Sequence, residues 1–146
     1  MKKKLAILVL TVFVLLQFFP FSVPTGDNSG EIEAPEEVKK ILRRSCYDCH
    51  SDLTAWPWYT KLFPVNVYLY HHVEEGKSEL NFSQWRSLNR KDRASQADSV
   101  LETLEEGEMP LRDYLFLHPE AKLSEEDLEV LREWVSSVNE EYQKEK

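Results

Sequence analysis

The sequence predicts an all-α fold: a bundle of about four to five short helices, preceded by an N-terminal apolar helix. Three observations predict it. Apolar residues recur at helical spacing in several separate stretches. Those stretches open and close on residues that start and stop helices. No stretch alternates apolar and polar residues long enough to build a sheet. At 146 residues the chain is one domain long, and no internal repeat is visible.

The first element is apolar throughout. Lys2, Lys3 and Lys4 precede a hydrophobic run from residue 5 to 19 that extends weakly to 23. A basic start followed by an apolar run is an export signal. Residues 5–23 approach the ~30 Å bilayer core at about 1.5 Å per residue. The run closes on Phe18-Phe19-Pro20-Phe21-Ser22-Val23, without an Ala-x-Ala cleavage pattern. Residues 1–24 therefore read as an uncleaved membrane anchor with the lysines in the cytoplasm, or else as a cleaved signal sequence. Both readings put the globular part on the periplasmic side, anchored to the inner membrane or soluble. Residues 25–34, with Gly26, Asp27, Asn28 and Gly30, read as a flexible linker, and 35–146 as the domain.

Within the domain, Pro35 suits a first helical position, Glu36 and Glu37 suit the positive helix start, and Arg43 and Arg44 suit its end. Val38, Ile41 and Leu42 share a face, which predicts a helix over 35–45. A second spans 65–75, stopped by Gly76. A third runs from 83 to 106 on the face of Ala94, Ala97, Leu101 and Leu104, with Ser83 as cap and Gly107 as stop. The last opens on Ser124-Glu125-Glu126-Asp127, which resembles a capping box. It continues to 142 through Leu128, Leu131, Trp134, Val135 and Val138.

Charge excludes some functions. The chain has 18 basic and 26 acidic residues, a net of −8. Without Lys2–Lys4 the balance is about −11, the wrong sign for nucleic-acid binding. Four scattered glycines offer no phosphate loop, and a single apolar run excludes a polytopic membrane protein.

The chemistry is carried by Cys46-Tyr47-Asp48-Cys49-His50, which contains the only two cysteines. This is the attachment pattern of c-type haem. Each thiol adds across one vinyl group, two intervening residues match the vinyl separation, and His50 reaches the iron from the same side. Attachment takes place outside the cytoplasm, in agreement with the export signal. A thioredoxin-type dithiol would follow a strand, whereas here a helix precedes the motif. A zinc site would need further ligands. A disulfide closing so small a loop would stabilise little.

A carrier iron takes a second axial ligand, Met or His. Met109 is the only methionine besides the first, and it lies in a turn between a helix end and Pro110. His71 or His72, and His118, remain alternatives, as does an open position. Trp56, Trp58 and Tyr59 follow the motif closely, and we expect them to pack on the porphyrin. Trp85 and Trp134 read as ordinary core.

The soluble part, about 35–140, resembles the bacterial haem-binding domain family of small monohaem c-type cytochromes. The likeness rests on Cys46-Tyr47-Asp48-Cys49-His50-Ser51 and Trp56-Pro57-Trp58-Tyr59. It continues in Glu75-Gly76, Asn81-Phe82-Ser83-Gln84-Trp85, Gly107-Glu108-Met109-Pro110 and His118-Pro119-Glu120-Ala121-Lys122-Leu123-Ser124. The order of an early attachment motif and a late Met-Pro pair is also similar to the cytochrome c superfamily. The resemblance implies a cytochrome c-like bundle around one covalent haem c, and a membrane-anchored N-terminus.

Three functions then compete. The first is an electron carrier that is not an enzyme, with His50 and Met109 as iron ligands and an unidentified redox partner protein. The second is a haem enzyme or sensor with an open sixth position. The third is a thiol oxidoreductase without haem.

Overall fold

The computed structural model describes residues 2–18 and 26–144. These are helical, with no strand among them. The elements are α1 (Lys2–Leu16), α2 (Glu36–Ser45), α3 (Tyr47–His50), α4 (Val65–Glu79), α5 (Arg90–Glu105), α6 (Arg112–Leu117) and α7 (Glu125–Gln143). Short 3-10 turns cover Trp58–Lys61, Phe82–Ser87 and Pro119–Ala121. Four helices of ten residues or more, α2, α4, α5 and α7, make the body, and two short ones complete it.

α1 buries no residue: its apolar side chains from Leu5 to Leu15 are exposed, and Leu16 is half-buried. No helix of the described residues is long and apolar enough to cross a membrane. Residues 19–23 of the apolar run, and Thr25 of the expected linker, lie outside the described residues.

The core is formed where α2, α5 and α7 meet the turn at 82–87. Ile41, Leu42, Phe82, Trp85, Ala97, Leu131, Trp134 and Val135 are all buried there. Burying a side chain of this size is worth roughly 1.5–3 kcal/mol. Trp85 and Trp134 pack together with ring centroids 5.7 Å apart, and Tyr47 stacks on Phe82 at 5.5 Å. Both tryptophans belong to the core, as the sequence predicts.

α2 and α7 follow their sequence signals. α7 starts on a capping box in which Ser124 Oγ accepts from the Asp127 amide and Asp127 accepts from the Ser124 amide. Arg44 Nη2 reaches Asp127 Oδ2 at 2.8 Å, tying the end of α2 to the start of α7.

Three expectations are corrected. The helix expected over 83–106 is two elements. Asn81 caps the turn at 82–87, Leu88 is extended, and Asn89 caps α5 by accepting from the Asp92 amide. Ser83 is no cap: its hydroxyl is buried and accepts from the Asp52 amide at 2.9 Å. The second helix does not stop at Gly76 but runs on to Glu79. A Cβ at Gly76 would lie 2.8 Å from the Cys49 carbonyl oxygen, so this glycine lets α4 pack against the motif backbone. The segment expected as a linker is fastened from residue 28 on. The Glu31 amide donates to Asn28 O, Ile32 donates to Phe82 O, Arg86 donates to Gly30 O, and Ile32 is buried in the core.

Candidate functional site

The motif forms a single helical turn. The Cys46 carbonyl accepts from the amides of Cys49 and His50 at 3.1 and 2.9 Å. Residues i, i+3 and i+4 share one face of a helix. Cys46, Cys49 and His50 accordingly line one cavity of about 610 Å³. Of the two intervening residues, Asp48 also borders the cavity, and Tyr47 turns away from it. Tyr47 is buried in the core, with its hydroxyl donating to Glu31 at 3.2 Å. Asp48 accepts from the Ala55 amide and the Tyr114 hydroxyl. Buried Ser51 closes the turn: its hydroxyl donates to Tyr47 O at 2.7 Å and accepts from the Leu53 amide at 3.0 Å.

His50 Nδ1 lies 3.1 Å from the carbonyl oxygen of Leu80, the residue that caps the end of α4. A carbonyl only accepts, so Nδ1 carries the proton and Nε2 keeps a free lone pair. Burial pushes the His50 imidazole below its ordinary value, while the Leu80 and Gly76 carbonyls partly oppose this. A neutral imidazole is the ligating form. Burial likewise pushes Cys46 up to about 12 and Cys49 up to about 11. Both are protonated thiols at neutral pH, unlike the low-pKa thiolate of a redox dithiol.

α5 supplies one wall of the cavity through Gln96, Ser99, Val100, Thr103 and Leu104, and α4 another through His72, Glu75, Gly76 and Glu79. Met109, Pro110, Leu111 and Tyr114 close it. The end of α5 aims this last segment. The Gly107 amide donates to Leu104 O and the Glu108 amide to Thr103 O, while Gly107 takes φ +70°. That is a Schellman ending, which glycine adopts without a Cβ penalty. It reverses the chain directly before Met109.

Of the alternative ligands, His72 lines the cavity and its neighbour His71 does not. His118 lies outside the lining, with both ring nitrogens engaged. Nδ1 meets Glu120 Oε1 at 3.2 Å and Nε2 meets the Tyr59 hydroxyl at 2.7 Å. Trp56, Trp58 and Tyr59, expected to pack on the porphyrin, are absent from the lining of this cavity. The turn at Trp58–Lys61 leaves Trp58 74% exposed and commits the Tyr59 hydroxyl to His118. The aromatic rings that do line the cavity are Phe82 and Tyr114. Phe82 lies within Asn81-Phe82-Ser83-Gln84-Trp85, while no sequence signal singled out Tyr114.

A second hollow of about 620 Å³, between α5 and α7, has no Cys, His or Met in its lining. Among the described residues no three His, Cys, Asp or Glu side chains form a metal-binding group.

Residues 11–137 match the model of a family described as a haem-binding domain. The chain belongs to that family. No curated protein and no solved structure matches it. The match begins inside α1, so the haem-binding domain takes in the end of that helix as well as the body.

The residues present fit a haem. The cavity falls in the range of cofactor sites, roughly 300–1,000 Å³. It offers apolar walls in Leu80, Phe82, Val100 and Leu104, two neutral thiols, an oriented imidazole and a thioether sulfur. These are the donors that hold haem in c-type proteins.

Proposed function

We propose that this haem-binding domain is a monohaem c-type cytochrome that carries electrons outside the cytoplasm. The observation that carries the reading is that Cys46, Cys49, His50 and Met109 line one cavity. Cys46 and Cys49 each add S–H across a vinyl double bond, which forms a thioether with no leaving group. His50 presents Nε2 to the iron, oriented by its bond to Leu80 O. Met109, from its surface turn, would offer its thioether sulfur as the second protein ligand.

The haem, when bound, supplies a one-electron Fe(III)/Fe(II) couple, while the protein supplies ligation, burial and a docking surface. If His50 and Met109 both held the iron, a substrate would have to displace one of them, and on that ground we read the chain as a carrier rather than an enzyme. The partner is another redox protein. α1, with its apolar side chains exposed from Leu5 to Leu15, supports retention at the membrane on the periplasmic side.

A second reading concerns the sixth position, because His72 lines the same cavity. His50/His72 ligation would also be low-spin, at a lower potential than His/Met.

Two measurements test the proposal. Acid–organic extraction of the denatured protein should leave haem on the chain, and Cys46→Ala with Cys49→Ala should release it. Haem extracted from the wild type overturns covalent attachment. A weak band near ~695 nm, from sulfur bonded to ferric iron, should identify Met109. A low-spin spectrum without that band selects His72, and a high-spin spectrum selects the open-site enzyme or sensor.

A further inference from the structure

We propose that the exposed apolar face beside the end of α1, formed by Trp58, Leu62, Val65 and Tyr68, sits in the headgroup layer of a phospholipid bilayer and fixes how the domain stands on the membrane. The inference rests on the reading of α1 as a retained membrane segment.

Four observations converge on it. First, Gln17, which follows α1, is joined to the body by a reciprocal pair. Its Oε1 accepts from the Phe63 amide at 3.0 Å and its Nε2 donates to Phe63 O at 3.3 Å. The helix end is therefore held against the loop between the turn at 58–61 and α4. Second, large apolar side chains on either side of that loop face outward: Trp58, Leu62 at 43%, Val65 and Tyr68 at 52% exposed. Trp and Tyr are the residues that favour the membrane–water interface.

Third, the charge fits. From Leu53 to Val73 there is no Asp or Glu, in a chain that has 26 of them. Lys61 is the only lysine or arginine in that stretch. A negatively charged domain thus places a stretch free of its own acidic residues beside the end of α1, with Glu120 brought near Tyr59 through His118, and lipid phosphates would repel the more acidic rest of the surface.

Fourth, the length of α1 is compatible with it. Fifteen residues rise about 22 Å, short of the ~30 Å hydrocarbon core. A helix tied at its outer end to the body accommodates such a mismatch by drawing the body in. Apolar faces sink roughly 5–10 Å into the interface, which is the missing thickness.

The test uses the full haem-loaded chain in nanodiscs of phosphatidylcholine and phosphatidylglycerol. Photo-crosslinking p-benzoylphenylalanine is introduced singly at positions 12, 58, 65 and 102, and phospholipid adducts are read by mass spectrometry. Position 12 reports on α1, and position 102 on an exposed site of α5. Adducts at 12, 58 and 65, at least tenfold above those at 102, are expected. Adducts at 12 alone overturn this inference and leave the anchor standing. The absence of adducts at 12 overturns the anchor, and this inference with it. Equal adducts at 102 overturn the specific face. In a Gln17→Leu chain the adducts at 58 should fall several-fold while those at 12 persist. An unchanged yield at 58 overturns the tether.

Discussion

The hydroxyl of Tyr114 donates to Asp48 Oδ2 at 2.8 Å, linking α6 to the middle of the motif turn across 66 residues of chain. The Tyr114 ring stacks on His118 with centroids 4.4 Å apart, and Tyr59 holds His118 from the other side. Burial, together with the Asp48 carboxylate, pushes the phenol well above its ordinary value, so Tyr114 stays a donor. Tyr114→Phe keeps the stacking and removes the bond. A hydrogen bond to a charged group is worth about 1.5–3 kcal/mol, and urea unfolding should show a loss at the lower end of that range.

Met109 is the residue on which the carrier reading turns. In the haem-loaded protein, Met109→Ala should shift the iron toward high spin and let CO bind without first displacing a protein ligand. Met109→His should keep it low-spin and lower the potential. Visible spectroscopy and a redox titration check both. An unchanged spectrum in Met109→Ala would make His72 the next ligand to substitute.

Gly76→Ala places a Cβ 2.8 Å from Cys49 O and 3.3 Å from Cys49 Cβ. A backbone atom cannot swing aside, so α4 and the motif turn must separate. Overpacking of this kind costs about 1–3 kcal/mol. The separation also lengthens the bond from His50 to Leu80, so haem retention should drop along with the melting temperature. An alanine variant as stable as the wild type would contradict this packing.

Acid should loosen the junction of α2 and α7. Burial raises the Asp127 carboxyl, but the Ser124 amide and hydroxyl and the Arg44 guanidinium outweigh it and hold the group below its ordinary 3.8. A carboxyl depressed in the folded chain contributes stability that is complete above 3.8 and is lost as pH falls through the lower folded value. Asp127→Asn should therefore be less stable than wild type at pH 7, with the difference shrinking below about pH 4. Denaturant midpoints across pH 2–7 measure it.

What the sequence revealed depended on how far each signal reached. Ser124 and Asp127 announce α7 because the capping box closes within three residues. Gly107 ends α5 for an equally local reason. Cys46, Cys49 and His50 were legible because one helical turn sets their common face. Ser83 looked like a cap, but its hydroxyl is taken by the Asp52 amide, 31 positions away. Gly76 looked like a stop, yet its missing Cβ serves a contact with Cys49 rather than a turn. Trp58 and Tyr59 were near the motif in sequence, but the turn at 58–61 directs them away from the cavity. Tyr114 reaches Asp48 only through the tertiary fold, which no local pattern encodes.

The bond from His50 to Leu80 O has a consequence for how this site can be altered. Many metal-bound histidines lean on a carboxylate side chain, which substitution can delete. Here the acceptor is main chain, so no exchange of the side chain at 80 removes it. His50 therefore keeps its proton on Nδ1 and its lone pair on Nε2 whatever residue stands there. Met109, by contrast, hangs from a turn on the surface and answers to a single codon. One side of the site is written into the backbone and the other into a replaceable side chain, so variation in redox tuning should accumulate on the methionine side.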